Sequence, residues 1–149
     1  MNLAYQGQEQ IQAGPDVVWA FLNDPAKLGA CMPDVHEVIV YDALSFDAIV
    51  KIARGLVRGK LTFKVKLVPD EAARRISITA SGGGLGSVID LTAGATVVAV
   101  GTGTVLDWDG EAVMRGPIAA IGGAGIDGQA KKLVEQTFAN VKQHVDAGG

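Results

Sequence analysis

Residues 116–145 read GPIAAIGGAGIDGQAKKLVEQTFANVKQHV, and the way this stretch is read decides what the rest of the chain must be. Ile126, Ala130, Leu133, Val134, Thr137, Phe138, Val141 and Val145 recur in steps of three and four, which places them on one face of an amphipathic helix. At roughly 1.5 Å per residue, the part from Gln129 to Val145 alone would span about 25 Å, enough to cross a small domain. The preceding GPIAAIGGAGIDG carries five glycines, which weaken helix formation. The pattern predicts a helix over most of 117–145, with a soft section at Gly116–Gly128 that would serve as the gate for any guest beneath it.

Upstream, the chain reads as a sheet to receive that helix. Leu3, Tyr5, Gly7, Glu9 and Ile11 alternate with polar and small residues, giving a half-buried first strand. Pro15 and Pro25 suit the first turns of two short helices, with Val17, Val18, Phe21 and Leu22 on the buried side of the first and Leu28 and Cys31 in the second. VHEVIVY and SFDAIVKI form a hairpin turned at Asp42 to Ser45. In the next strand Leu61, Phe63, Val65 and Leu67 face the core while Arg58, Lys60, Thr62, Lys64 and Lys66 face out. Ile76, Ile78 and Ala80 point inward in RRISITAS. Ile89, Leu91, Ala93, Ala95, Val97 and Ala99 then share one face, and Thr104, Leu106, Trp108, Gly110, Ala112 and Met114 another, opposite Asp107, Asp109 and Glu111 on a solvated side. Short turns between strands imply an antiparallel sheet with helices on one face, an α+β fold in a single domain over 1–149.

The inner face of the last strands is rich in small residues, Ala93, Ala95, Ala99, Thr104, Gly110 and Ala112. Opposite a glycine-softened helix this predicts unfilled apolar volume, since packed cores normally leave none. The alternative is that Trp19, Trp108, Phe63 and Phe138 fill it. The candidate cavity residues are Phe63, Val65, Ala93, Ala95, Trp108, Ala112, Met114, Ile121, Ile126, Leu133 and Phe138, with Glu9 as an inward carboxylate that needs a partner or a raised pKa if buried.

The formal net charge is -3, which argues against general nucleic-acid binding. Residues 51–75 nevertheless carry +6 and the remainder -9. Lys51, Arg58, Lys60, Lys64 and Lys66 form a basic stripe suited to docking on an anionic lipid surface or an acidic partner, or to serving as a plain solvated face. One cysteine, Cys31, excludes an intrachain disulfide, and His36 and His144 are far apart, so no metal set and no catalytic set assembles. No stretch of about 18 apolar residues occurs, and the reading is of a cytoplasmic protein. Gly123 to Gly128 matches GxGxxG, but no parallel strand can follow in the remaining residues, which excludes a dinucleotide site. The glycines at 82–84 and 86 lead into a strand, so a turn or bulge fits them better than a phosphate cradle.

The opening AGPDVVWAFLNDPAKLGACMPD, then LVRGKLTFKVKL, SGGGLGS and VMRGPIAAIGGAGIDGQAKKLVEQTFANV resemble the carbon monoxide dehydrogenase G-subunit family of the START-like, helix-grip superfamily. Pro15, Trp19, Asp24, Pro25, Leu28, Cys31, Pro33, Gly59, Gly116, Gly122, Phe138 and Asn140 carry the likeness, and Asp34 stands where the family pattern has glycine. The resemblance implies a seven-stranded antiparallel sheet around the long helix, with a hydrophobic cavity between them. It also implies a non-enzymatic role beside a molybdenum-containing carbon monoxide dehydrogenase-type enzyme. That role is attachment to the membrane, peripherally at its inner face, or carriage of a quinone, with no tightly bound cofactor. Two other classes share these features: a polyketide cyclase or dehydratase-like enzyme, which needs several polar groups in the cavity, and a ligand-free assembly factor acting through its surface.

Overall fold

The computed structural model describes residues 2–54, 57–84, 86–116 and 124–148. Its seven strands are β1 (Asn2–Ile11), β2 (Val35–Asp42), β3 (Ser45–Arg54), β4 (Val57–Asp70), β5 (Arg75–Gly84), β6 (Ser87–Val100) and β7 (Gly103–Arg115). They form one antiparallel sheet in the order β1-β7-β6-β5-β4-β3-β2. Strands β2 to β7 pair with their sequence neighbours, while β1 joins the far side of β7. The helices α1 (Pro15–Leu22) and α2 (Pro25–Ala30) therefore carry the chain from one edge of the sheet to the other.

The alternation read from the sequence sets the two faces. Leu61, Phe63, Val65 and Leu67 of β4 are buried and Lys60, Thr62, Lys64 and Lys66 exposed. Thr104, Leu106, Trp108, Gly110, Ala112 and Met114 of β7 are buried, with Asp107, Asp109 and Glu111 exposed. Asp109 is not merely solvated, because the Arg75 guanidinium lies 2.9 Å from its carboxylate. Ala99 corrects the expected inner set. It is exposed together with Val98 and Val100, at the end of β6 where the strand runs into the turn at Gly101.

Proline opens both short helices at the position where its missing N–H costs nothing, and the Asp24 side chain caps α2 by accepting from the Lys27 backbone N–H at 3.2 Å. Just beyond α2, Asp34 adopts φ 60°. That left-handed conformation is one that glycine favours, and aspartate is among the few other residues that tolerate it. Its carboxylate lies 3.4 Å from Lys132 on the long helix, and its carbonyl accepts from the Lys51 N–H at 3.0 Å.

The long helix α3 (Ala124–Asp146) lies over the inner face of the sheet. Val134, Phe138, Val141 and Val145 are buried and Leu133 is half-buried, while Lys131, Lys132 and Glu135 face water. Close docking depends on Gly110, where an added Cβ would come within 2.8 Å of Val134. Polar ties hold the C-terminal half. Asn140 donates to the Cys31 carbonyl at 2.8 Å, Asp146 accepts from the Gln12 N–H at 2.9 Å, and the Lys142 amine donates to the Gln10 carbonyl. Residues 117–123, which the spacing assigned to the helix, lie outside the described residues, as does most of the stretch assigned as a gate.

Candidate functional site

Between the middle of α3 and the middle of the sheet lies a cavity of about 60 Å³. Val65 of β4, Ile78 and Ala80 of β5, and Leu91 and Ala93 of β6 form its floor. Leu133, Val134, Thr137 and Phe138 of α3 form its roof, and Leu28, Met32 and Phe46 close the end toward α2. The space exists because Ala80 and Ala93 stand on the inner face where strand parity brings side chains toward the helix, and neither is long enough to meet it. Thr137 is the one polar side chain on the wall among the described residues, and its hydroxyl donates to the Leu133 carbonyl at 2.6 Å. Among the described residues the wall therefore presents no carboxylate, imidazole or thiol.

Of the residues singled out from the sequence, Val65, Ala93, Leu133 and Phe138 are brought together on this wall. Phe63, Ala95, Trp108, Ala112 and Met114 are buried but stand in the packed core outside it. Ala95 lies opposite Trp108 in the β6–β7 register and is 0% exposed, so the space above it is already filled. Ile121 lies outside the described residues, as does the side chain of Ile126. Leu28, Met32, Phe46, Ile78, Ala80 and Leu91 belong to the wall and were not singled out. The inward parity of Ile78 and Ala80 was the available signal.

Trp108 stacks on Phe138, with ring centroids 5.3 Å apart and planes inclined by 15°. Gly7, its neighbour in the β1–β7 register, makes room for the indole, since a Cβ there would fall 2.5 Å from Cζ2. The Trp108 Nε1 is fully buried, and no acceptor among the described residues reaches it. Trp19 differs, because its Nε1 donates to Glu71 Oε1 at 3.1 Å.

Glu9 is half-buried on the inner face of β1 and is not part of the cavity wall. Burial pushes its carboxyl above the ordinary glutamate value, Lys142 pulls it back down and Glu135 adds to the rise. Cys31 is fully buried, and burial pushes its thiol up to about 12. It is an inert core group rather than a nucleophile. Among the described residues, no His, Cys, Asp or Glu group is placed to hold a metal ion, and no helix is long and apolar enough to cross a membrane.

The basic stripe lies on the other face of the sheet. Lys51, Arg58, Lys60, Lys64 and Lys66 are exposed and, among the described residues, none of them has a carboxylate within ion-pair distance. Lys51 stands directly opposite Lys60 in the β3–β4 register, a like-charge pair. Ile39, Val40, Tyr41 and Leu44 are exposed on and beside the neighbouring edge strand β2.

The pattern of the carbon monoxide dehydrogenase G-subunit (CoxG) family matches residues 7–146. The chain belongs to that family. No curated protein matches the sequence. Among solved structures, a conserved protein from Geobacillus kaustophilus is similar over 96% of this chain and 95% of its own, with TM-score 0.82 and 20% identity. A START superfamily protein from Mycobacterium smegmatis matches with TM-score 0.72 and 14% identity, over 98% of this chain and 99% of its own. Norcoclaurine synthase from Thalictrum flavum matches with TM-score 0.63 and 15% identity, over 97% of this chain and 87% of its own. The CoxG-family chain thus has the helix-grip fold of START-like proteins, a fold that these neighbours show carrying an enzyme as well.

Proposed function

We propose that this CoxG-family chain is a carrier that holds a lipophilic molecule between α3 and the inner face of the sheet. The observation that carries this reading is the wall of the cavity, which among the described residues is apolar except for a threonine hydroxyl already engaged by its own helix. Such a wall gains from burying hydrocarbon and offers nothing to a reacting bond. An enzyme of the cyclase or dehydratase kind would need convergent polar groups there.

The size of the space says how binding must proceed. A cavity of about 60 Å³ is well below the roughly 150 Å³ that accommodates benzene in an engineered apolar site. A guest therefore enters as α3 and the sheet separate along the seam of Leu133, Thr137 and Phe138. The CoxG membership favours a quinone as the carried molecule and a molybdenum-containing dehydrogenase as the enzyme served. The unpaired basic face is the surface by which the chain meets that enzyme, in the cytoplasm at the inner face of the membrane. The test is saturable uptake of a prenylated naphthoquinone, followed by quenching of Trp108 fluorescence in a Trp19→Phe background. Saturable quenching that is lost in Ala93→Val supports the carrier. Linear, non-saturating quenching that is the same in both proteins contradicts it.

A further inference from the structure

One side of the cavity is built not to give. Phe46 stands at the end of a row that crosses the floor in register, Phe46 beside Val65, Val65 beside Ala80 and Ala80 beside Leu91. The residue is 1% exposed and is part of the cavity wall. Gly29 of α2 packs tightly against it, since a Cβ there would lie 3.1 Å from the Phe46 ring and 2.8 Å from Val38. The long helix is tied to this side twice, by Asn140 donating to the Cys31 carbonyl at 2.8 Å and by Lys132 lying 3.4 Å from the Asp34 carboxylate. Leu28 and Met32 complete the same end of the wall. Methionine is unbranched and adapts to what it meets, whereas a ring clamped on a strand does not.

The volume says which part of a guest the preformed space takes. In the proportion that gives benzene's six carbons roughly 150 Å³, a cavity of about 60 Å³ takes roughly two or three chain carbons and no ring. We infer that Phe46 is a specificity-determining residue of the site, the stop against which the end of a guest's aliphatic chain comes to rest, and that the guest is a chain-bearing amphiphile bound tail first. This deepens the carrier reading and rests on it. The chain end lies over Ala80 and Ala93, and the head stays outside the preformed space. Each further methylene gains by leaving water until the terminal methyl meets the Phe46 ring, after which added length stays exposed and gains nothing.

Equilibrium dialysis of straight-chain 1-alkanols of increasing length against the full-length protein tests the inference without a variant. Affinity should rise about fourfold per methylene, equivalent to about 0.8 kcal/mol, up to one limiting length and not beyond it. An alkanol that ends in a cyclohexyl ring should bind about tenfold more weakly than the straight chain of equal carbon number. In Phe46→Leu, whose side chain has three fewer carbons, the limiting length should move up by about three carbons. Saturable binding with no limiting length, or with one that Phe46→Leu leaves unchanged, would overturn the role of Phe46 and leave the carrier reading standing. Equal affinity for the ring-ended and straight chains would overturn the tail-first orientation in the same way. Absence of binding by every alkanol would overturn both the inference and the carrier reading.

Discussion

The ring of Phe138 lies 5.3 Å from that of Trp108 and nearly parallel to it, and this stack joins the long helix to the sheet at the margin of the cavity. Phe138 is 2% exposed, so its removal takes away both the stack and a large buried ring. Phe138→Ala should cost about 3 to 5 kcal/mol in urea denaturation. A loss below about 1 kcal/mol would mean that α3 is not docked by this residue.

Filling the cavity and overfilling the core should have opposite signs. Ala80→Val and Ala93→Val add methyl groups into the open space and should hold or raise the melting temperature while reducing uptake of a lipophilic guest. Ala95→Phe and Ala112→Leu add volume at fully buried positions outside the cavity, and overpacking should cost about 1 to 3 kcal/mol. Thermal melts of the four variants separate the two cases.

The legibility of this site in the sequence had a physical limit. Spacing alone placed Leu133, Val134, Phe138, Val141 and Val145 on one face of α3, and alternation placed the inner residues of β4 and β7, because burial of one face imposes those periods. Parity says which face a side chain takes, but not what stands above it. Ala93 and Ala95 share a face, yet one borders a void and the other is fully buried away from it. That difference depends on register with β7 and on where α3 crosses. Neither can be read from a local pattern. The left-handed backbone at Asp34 likewise follows no local period.

Glu9 gives a pH signature. Burial raises its folded-state pKa above the ordinary 4.5, so the native state binds its proton more tightly than the unfolded chain does. Its contribution is thus fully present below that value and is lost as pH rises through the folded-state pKa. Glu9→Gln should raise the melting temperature at pH 7 and leave it nearly unchanged below the ordinary glutamate value. An equal effect at both pH values would assign the change to something other than ionisation.

Cys31 should report on opening of the core. With its thiol fully buried and pushed up to about 12, reaction with a disulfide reagent at pH 8 should be slow in the native protein. The rate should rise to that of a free thiol as urea unfolds the chain. Rapid labelling without denaturant would contradict the complete burial of Cys31 at the end of α2.

The basic face should matter to an encounter and not to stability. Replacing Lys60, Lys64 and Lys66 by Gln should leave the melting temperature unchanged or slightly raised, since Lys60 opposes Lys51 and none of the three is in an ion pair among the described residues. Binding to the dehydrogenase proposed as its partner should weaken and lose its dependence on salt. Binding that is indifferent to both the triple change and salt would make the stripe a solvated surface.

The most direct test of the carrier is what the protein holds when taken from its own cell. Native mass spectrometry of gently isolated protein should show the polypeptide with a bound lipophilic molecule, present in the unmodified chain and depleted in Ala93→Val. Bare polypeptide from both, with no saturable uptake when a quinone is supplied, would contradict the account.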